Sequence, residues 1–76
     1  MKLPEVKRTL ERGENLRVEL MRNPSDVSKW VVWIQEPSGK SYLLLDACDE
    51  VVNDSDSNEL FTLLRSIGVR SVQVML

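Results

Sequence analysis

The residue most open to covalent chemistry is Cys48, the single cysteine of the chain. A reactive thiol needs a nearby base or positive charge to favour its thiolate. The sequence neighbours of Cys48 are instead Asp46, Asp49 and Glu50, whose charge opposes ionisation. Cys48 therefore reads as a small packing or loop residue. With one thiol, neither an internal disulfide nor a multi-thiolate zinc site can form within the chain. There is no histidine, so the commonest general base, the commonest metal ligand and the usual partner of a Ser or Cys nucleophile are missing.

The acids invite a metal reading. Asp54-Ser55-Asp56-Ser57-Asn58 opens like a calcium loop, but that motif needs glycine at its sixth position and glutamate at its twelfth. Those positions hold Glu59 and Arg65, which contradicts a standard site. Asp46, Asp49 and Glu50 could form a carboxylate pair, but acid–base work on a glycoside needs two carboxyls across a cleft. A short chain with a tight sheet offers little room for one. Gly39-Lys40-Ser41 has the ending of a phosphate loop, but no glycine lies between Gly13 and Gly39, so the motif has no first half. The sequence thus points away from an enzyme and assigns no catalytic residue, metal or cofactor.

The chain has 76 residues, one domain's worth. Its net charge of −2 removes the simplest case for a nucleic-acid or polybasic membrane protein. No apolar run reaches the roughly 20 residues that span a bilayer. The start, Met1-Lys2-Leu3-Pro4-Glu5, lacks the apolar stretch of a secretory signal. With a lone cysteine, that points to a reducing cytoplasm.

Residues 4 to 12 are predicted to form a helix, with Pro4 in its first turn, Leu3, Val6 and Leu10 as an apolar stripe, and Gly13 as the stop. Residues 15 to 22 alternate, with Leu16, Val18 and Leu20 to one side and Arg17, Glu19 and Met21 to the other. Turn chemistry at Asn23-Pro24-Ser25-Asp26 leads to a second strand, 29 to 36. It carries Trp30, Val32 and Ile34 on one face and Val31, Trp33 and Gln35 on the other. A third strand, 41 to 46, follows the turn at Pro37-Ser38-Gly39. If Gly39 is a bulge residue, Trp33 faces Leu43 and Val31 faces Leu45; a tighter turn puts Trp33 against Leu44.

The stretch 46 to 59 contains six acids and no base and reads as a loop. Asp56 and Glu59 have capping-box spacing. A helix from 57 to 67 then presents Leu60, Leu63, Leu64 and Ile67 on one face. A last strand, 69 to 75, turns Val72, Val74 and Leu76 one way. The expectation is a single two-layer α+β domain, order αβββαβ, with a four-stranded mixed sheet and two helices. The last strand should run parallel to the third, lying beside either the first or the third.

In its run of a helix, three antiparallel strands and a second helix, the chain resembles the double-stranded RNA-binding family in topology. That family places lysines at the start of its second helix, whereas Asp54, Asp56 and Glu59 stand there in this chain. These acids would repel phosphate. The Gly68-Val69-Arg70-Ser71-Val72 entry to the last strand is similar to that of small bacterial proteins, a likeness that lends no function.

What remains is the sheet's second face. If both helices cover one side, the other shows Trp33, Val31 and either Leu43 with Leu45 or Tyr42 with Leu44, with Met21 extending the patch. Tryptophan and methionine are favoured at interface cores. The leading expectation is a non-enzymatic interaction or accessory module that binds itself, as a homodimer, or another protein through Trp33, Val31, Leu43, Leu45 and Met21. Edge-strand pairing through residues 69 to 75, or through the first strand, is a second route to a dimer. The alternative is nucleic-acid binding through the basic N-terminal helix and first strand, using Lys2, Lys7, Arg8, Arg12, Arg17 and Arg22.

Overall fold

The structure is a computed structural model that describes residues 1–75. Helix α1 spans Leu3–Glu11. Its entry is fixed by the Lys2 N–H, which donates to the Glu5 carboxylate at 3.1 Å. Gly13, at φ 81°, turns the chain out of the helix.

Strands β1 (Arg17–Asn23) and β2 (Asp26–Gln35) form an antiparallel hairpin. The Asn23 side chain accepts from the Ser25 N–H at 2.9 Å, a local bond that stabilises the turn. The register slips between Arg22 and Asn23, so Val27, Ser28 and Lys29 bulge out of the ladder. Val27 is 71% exposed as a result.

Strand β3 (Ser41–Leu43) pairs with β2 in the bulged register: Trp33 faces Leu43, Ile34 faces Tyr42 and Gln35 faces Ser41. Gly39 lies at φ 97°. The Glu36 N–H reaches the Lys40 carbonyl at 2.8 Å, and the Gly39 N–H reaches the Glu36 carbonyl at 2.9 Å. The expected pairing of Val31 with Leu45 does not form. After Leu44, whose N–H still bonds the Val32 carbonyl at 2.9 Å, the chain leaves β2. Leu45 instead lies between Lys2, in parallel, and Val51, antiparallel.

The acidic stretch is not wholly a loop. It folds back on Leu44 through the Val52 N–H, 3.0 Å from the Leu44 carbonyl. It then forms a short strand β4 (Asn53–Asp54), which pairs with β2 as Val31 with Asn53 and Trp30 with Asp54. The sheet thus has five strands rather than four, because β3 and β4 share one long edge of β2.

Helix α2 spans Ser57–Ser66. The reciprocal capping box expected at Asp56 and Glu59 is replaced by a relay. Asp54 accepts from the Asp56 N–H at 2.8 Å, and Asp56 accepts from the Asn58 N–H at 2.9 Å. The final strand β5 covers only Gln73–Met75 and runs parallel to β1, giving the order β3-β2-β1-β5. Leu76, expected on the same face as Val72 and Val74, lies outside the described residues.

Both helices pack on one face. Val6 of α1 and Leu60 and Leu64 of α2 share a single apolar core with Val18, Leu20, Trp30, Val32, Ile34, Leu44 and Val69. Leu20, Ile34, Leu44, Leu64, Val6 and Val32 are fully enclosed. This is a two-layer α+β domain.

Candidate interaction surface

Side chains alternate across a strand, so the partners of the core residues point to the opposite face. The ladder registers place them in rows there. Gln73, Glu19, Trp33 and Leu43 follow one another across the four strands. Met75, Met21, Val31 and Asn53 form the next row. Arg17, Gln35 and Ser41 stand at one end. Met21, Val31, Trp33, Leu43 and Leu45 all lie outside the helix-covered core.

The five residues singled out in the sequence do not contribute equally. Trp33, Met21 and Leu43 are half-buried and sit together on the uncovered face. Val31 belongs to the same face but is only 3% exposed, so it forms the floor of the patch. Leu45 is half-buried and has left the β2 ladder for the Lys2–Val51 bridge. Its pairing places it beside the patch rather than within its rows. Met75 was expected in the last strand but not on this patch. It is 40% exposed and is the register partner of Met21. The only signal for it was an unresolved choice of edge for the last strand.

A groove of about 380 Å³ runs along this face, lined by Glu19, Met21, Arg22, Pro24, Trp33, Gln35 and Ser41. Its apolar residues are Met21, Pro24 and Trp33; its polar and charged ones are Glu19, Arg22, Gln35 and Ser41. An apolar centre with a polar border is the anatomy of a protein interface.

The acids and the thiol have local roles. One Asp46 oxygen accepts from the Cys48 N–H at 2.8 Å and the Glu50 N–H at 3.1 Å. Asp49 pairs with the Lys2 ammonium at 3.0 Å. Cys48 is exposed in the same turn. Among the described residues, no group of three His, Cys, Asp or Glu side chains is placed to hold a metal ion.

The six N-terminal bases are dispersed. Lys2 is engaged by Asp49, and Arg12 by Glu14 at 3.1 Å. Arg22 lies over the Trp30 ring, 4.1 Å from its centre. Arg17 stands on the uncovered sheet face, whereas Lys7 and Arg8 belong to the helix layer on the other side.

The fold and surface define a small α+β domain with one sheet face left bare by its helices. No protein-family model matches the chain, and neither the curated proteins nor the solved structures gave a match. The likeness to the double-stranded RNA-binding family accordingly stays at the level of element order. No helix among the described residues is long and apolar enough to cross a membrane.

Proposed function

We propose that this chain is a cytoplasmic, non-enzymatic interaction module that docks a second copy of itself on the uncovered sheet face. The observation that carries the reading is the position of Trp33. It is a large aromatic outside the core, flanked in register by Glu19 and Leu43 and followed in the next row by Met21 and Val31. Half-buried aromatic and methionine side chains of this kind anchor interfaces.

Charge supports a second copy as the occupant. The face carries the opposite charges of Arg17 and Glu19 two residues apart on β1. Two such faces related by a two-fold axis can set Arg17 of one copy near Glu19 of the other. A strongly charged partner such as a nucleic acid would meet no complementary field there. The area is also adequate. A standard interface takes about 800 Å² from each partner, about a sixth of this chain's 5135 Å². The two longer extents of the chain, 34 and 23 Å, span an area of that order. The reading assigns no cofactor, nucleic acid or membrane.

The test is solution mass by light scattering across a concentration series, for the wild type and for Trp33→Glu. The wild type should reach at least twice the chain mass, and Trp33→Glu should reach no more than half of the wild-type mass. Because Trp33 lies outside the core, the variant should keep its circular dichroism. A wild type that remains monomeric at millimolar concentration, or a variant with unchanged association, overturns the reading.

A further inference from the structure

The two edges of the sheet are finished differently. On the β3 side, the chain covers its own edge. The Leu3 N–H donates to the Leu45 carbonyl at 2.9 Å, and the Leu45 N–H donates to the Met1 carbonyl at 2.9 Å. Further along that side, Val51 bridges Leu45 and β4 occupies the rest of β2. β4 also carries a charged residue, Asp54.

The β5 edge has none of this. Among the described residues, β5 pairs with β1 alone and ends the sheet. Gln73, Val74 and Met75 are all exposed. They carry no charge and no proline, and their ladder with β1 has no slip. Natural sheets blunt a bare edge with charges, prolines, bulges or very short strands, because its outward N–H and C=O groups template another strand; of these β5 has only its three-residue length. Val74 is 43% exposed and Met75 40%. Val74 shares the helix-side face with Leu20, and Met75 shares the open face with Met21. The edge therefore offers apolar surface on both sides of the sheet.

The geometry points to β5 as a pairing edge for β5 of a second copy, antiparallel about a two-fold axis at Val74. Val74 of one copy then stands opposite Val74 of the other, and Gln73 opposite Met75. No charge faces a like charge, and the strand is its own complement. Each Met75 continues the row that begins at Met21, so the open face runs unbroken across the join. This two-fold axis is normal to the sheet. The axis of the proposed face-to-face pair lies between two sheets, parallel to them. Perpendicular two-folds that cross close an assembly of four. The four-copy form rests on the open-face reading, whereas the edge contact does not. A three-residue ladder is a small contact, and isolated strand pairs are marginal, so the edge join should be strongest between face-to-face pairs.

Sedimentation of the wild type, Val74→Lys, Trp33→Glu and the double variant over a concentration series tests this. Val74 is exposed, so Val74→Lys should keep the fold, checked by circular dichroism. The expected result is four copies for the wild type, two for Val74→Lys and a one-to-two-copy equilibrium for Trp33→Glu that the double variant abolishes. Slower hydrogen exchange of the β5 amides should accompany the edge join and disappear in Val74→Lys. A wild-type mass unaffected by Val74→Lys overturns the edge contact. If that mass is two copies and Trp33→Glu reduces it to one, the open-face reading survives alone. A two-copy wild type that is lost in Val74→Lys but retained in Trp33→Glu leaves the edge standing and removes the open face. A monomer throughout removes both.

Discussion

The guanidinium carbon of Arg22 lies 4.1 Å from the centre of the Trp30 ring, and the two residues are direct partners across β1 and β2. Trp30 is 8% exposed, so the cation caps the rim of the core where the ladder slips. The same guanidinium donates to the Val27 carbonyl at 3.2 Å, tying the bulged residues back to β1. Cation–π contacts of this kind contribute about 1 kcal/mol. Arg22→Ala should lower unfolding stability in urea by about that amount. Arg22→Lys should recover part of it, because a lysine keeps the charge but loses the planar fork. Equal urea midpoints for the wild type and Arg22→Ala would remove the contact from the stability account.

Gly39 lies in the turn of the hairpin in which Trp33 meets Leu43. Its φ of 97° is a conformation that other residues adopt only with strain. A Cβ placed there would meet nothing within 4 Å, so a substitution is penalised by the backbone alone. Gly39→Ala should cost about 1 kcal/mol, and Gly39→Asn less, since asparagine tolerates left-handed backbone better. Urea unfolding of the two variants checks this; an alanine as stable as glycine would contradict it. The cross-peaks between Trp33 and Leu43 in a nuclear Overhauser spectrum should persist in both, because the rest of the ladder still selects the register.

The parts of the fold that were legible in the sequence are those set by local periodicity and turn chemistry. The alternation of β1 and β2 separated Leu20, Val32 and Ile34 from Met21, Val31 and Trp33 before any pairing was known. Proline and glycine at 37 and 39 left two registers, one of which the structure adopts. β4 was not legible, because Asn53 and Asp54 have little strand propensity and pair only once Leu45 has been drawn away to Lys2. That redirection depends on residues 43 positions apart, which no local pattern reports. For the same reason Val31 was expected against Leu45 and is found against Asn53. Trp33, Met21 and Leu43 could be placed on the second face from period two alone. Met75 could not, since its face is useful only once the edge chosen by β5 is known.

The start of α2 is held by two carboxylates in series. Asp54 accepts from the Asp56 N–H at 2.8 Å, and Asp56 in turn accepts from the Asn58 N–H at 2.9 Å. Asp56→Ala removes the cap itself and should cost about 1 kcal/mol. Asp54→Ala loosens the residue that positions the cap, so its effect should be smaller when Asp56 is already gone. Thermal or urea unfolding of both single variants and the double variant forms the needed cycle. Strict additivity would show that the two carboxylates act independently and that the relay has no energetic meaning.

Asp26 opens β2 and supplies the one clear pH signature. Its carboxylate accepts from the Ser28 hydroxyl at 2.6 Å and from the Ser28 N–H at 3.1 Å. The hydroxyl bond, then the backbone bond, hold its pKa below the ordinary carboxylate value, with a small further contribution from the Lys29 charge. Hydrogen bonds to the charged form favour that form. A folded-state pKa below the unfolded one means that the contribution to stability is complete above the unfolded pKa and fades as pH falls through the folded one. The side chain is fully exposed, so the readout is the titration itself rather than global unfolding. Carbon-detected carboxylate titration should give Asp26 a midpoint below the ordinary value of an aspartate side chain. Ser28→Ala should raise it by removing the hydroxyl while leaving the backbone bond. An unchanged midpoint in Ser28→Ala would mean that the hydroxyl does not hold the charge.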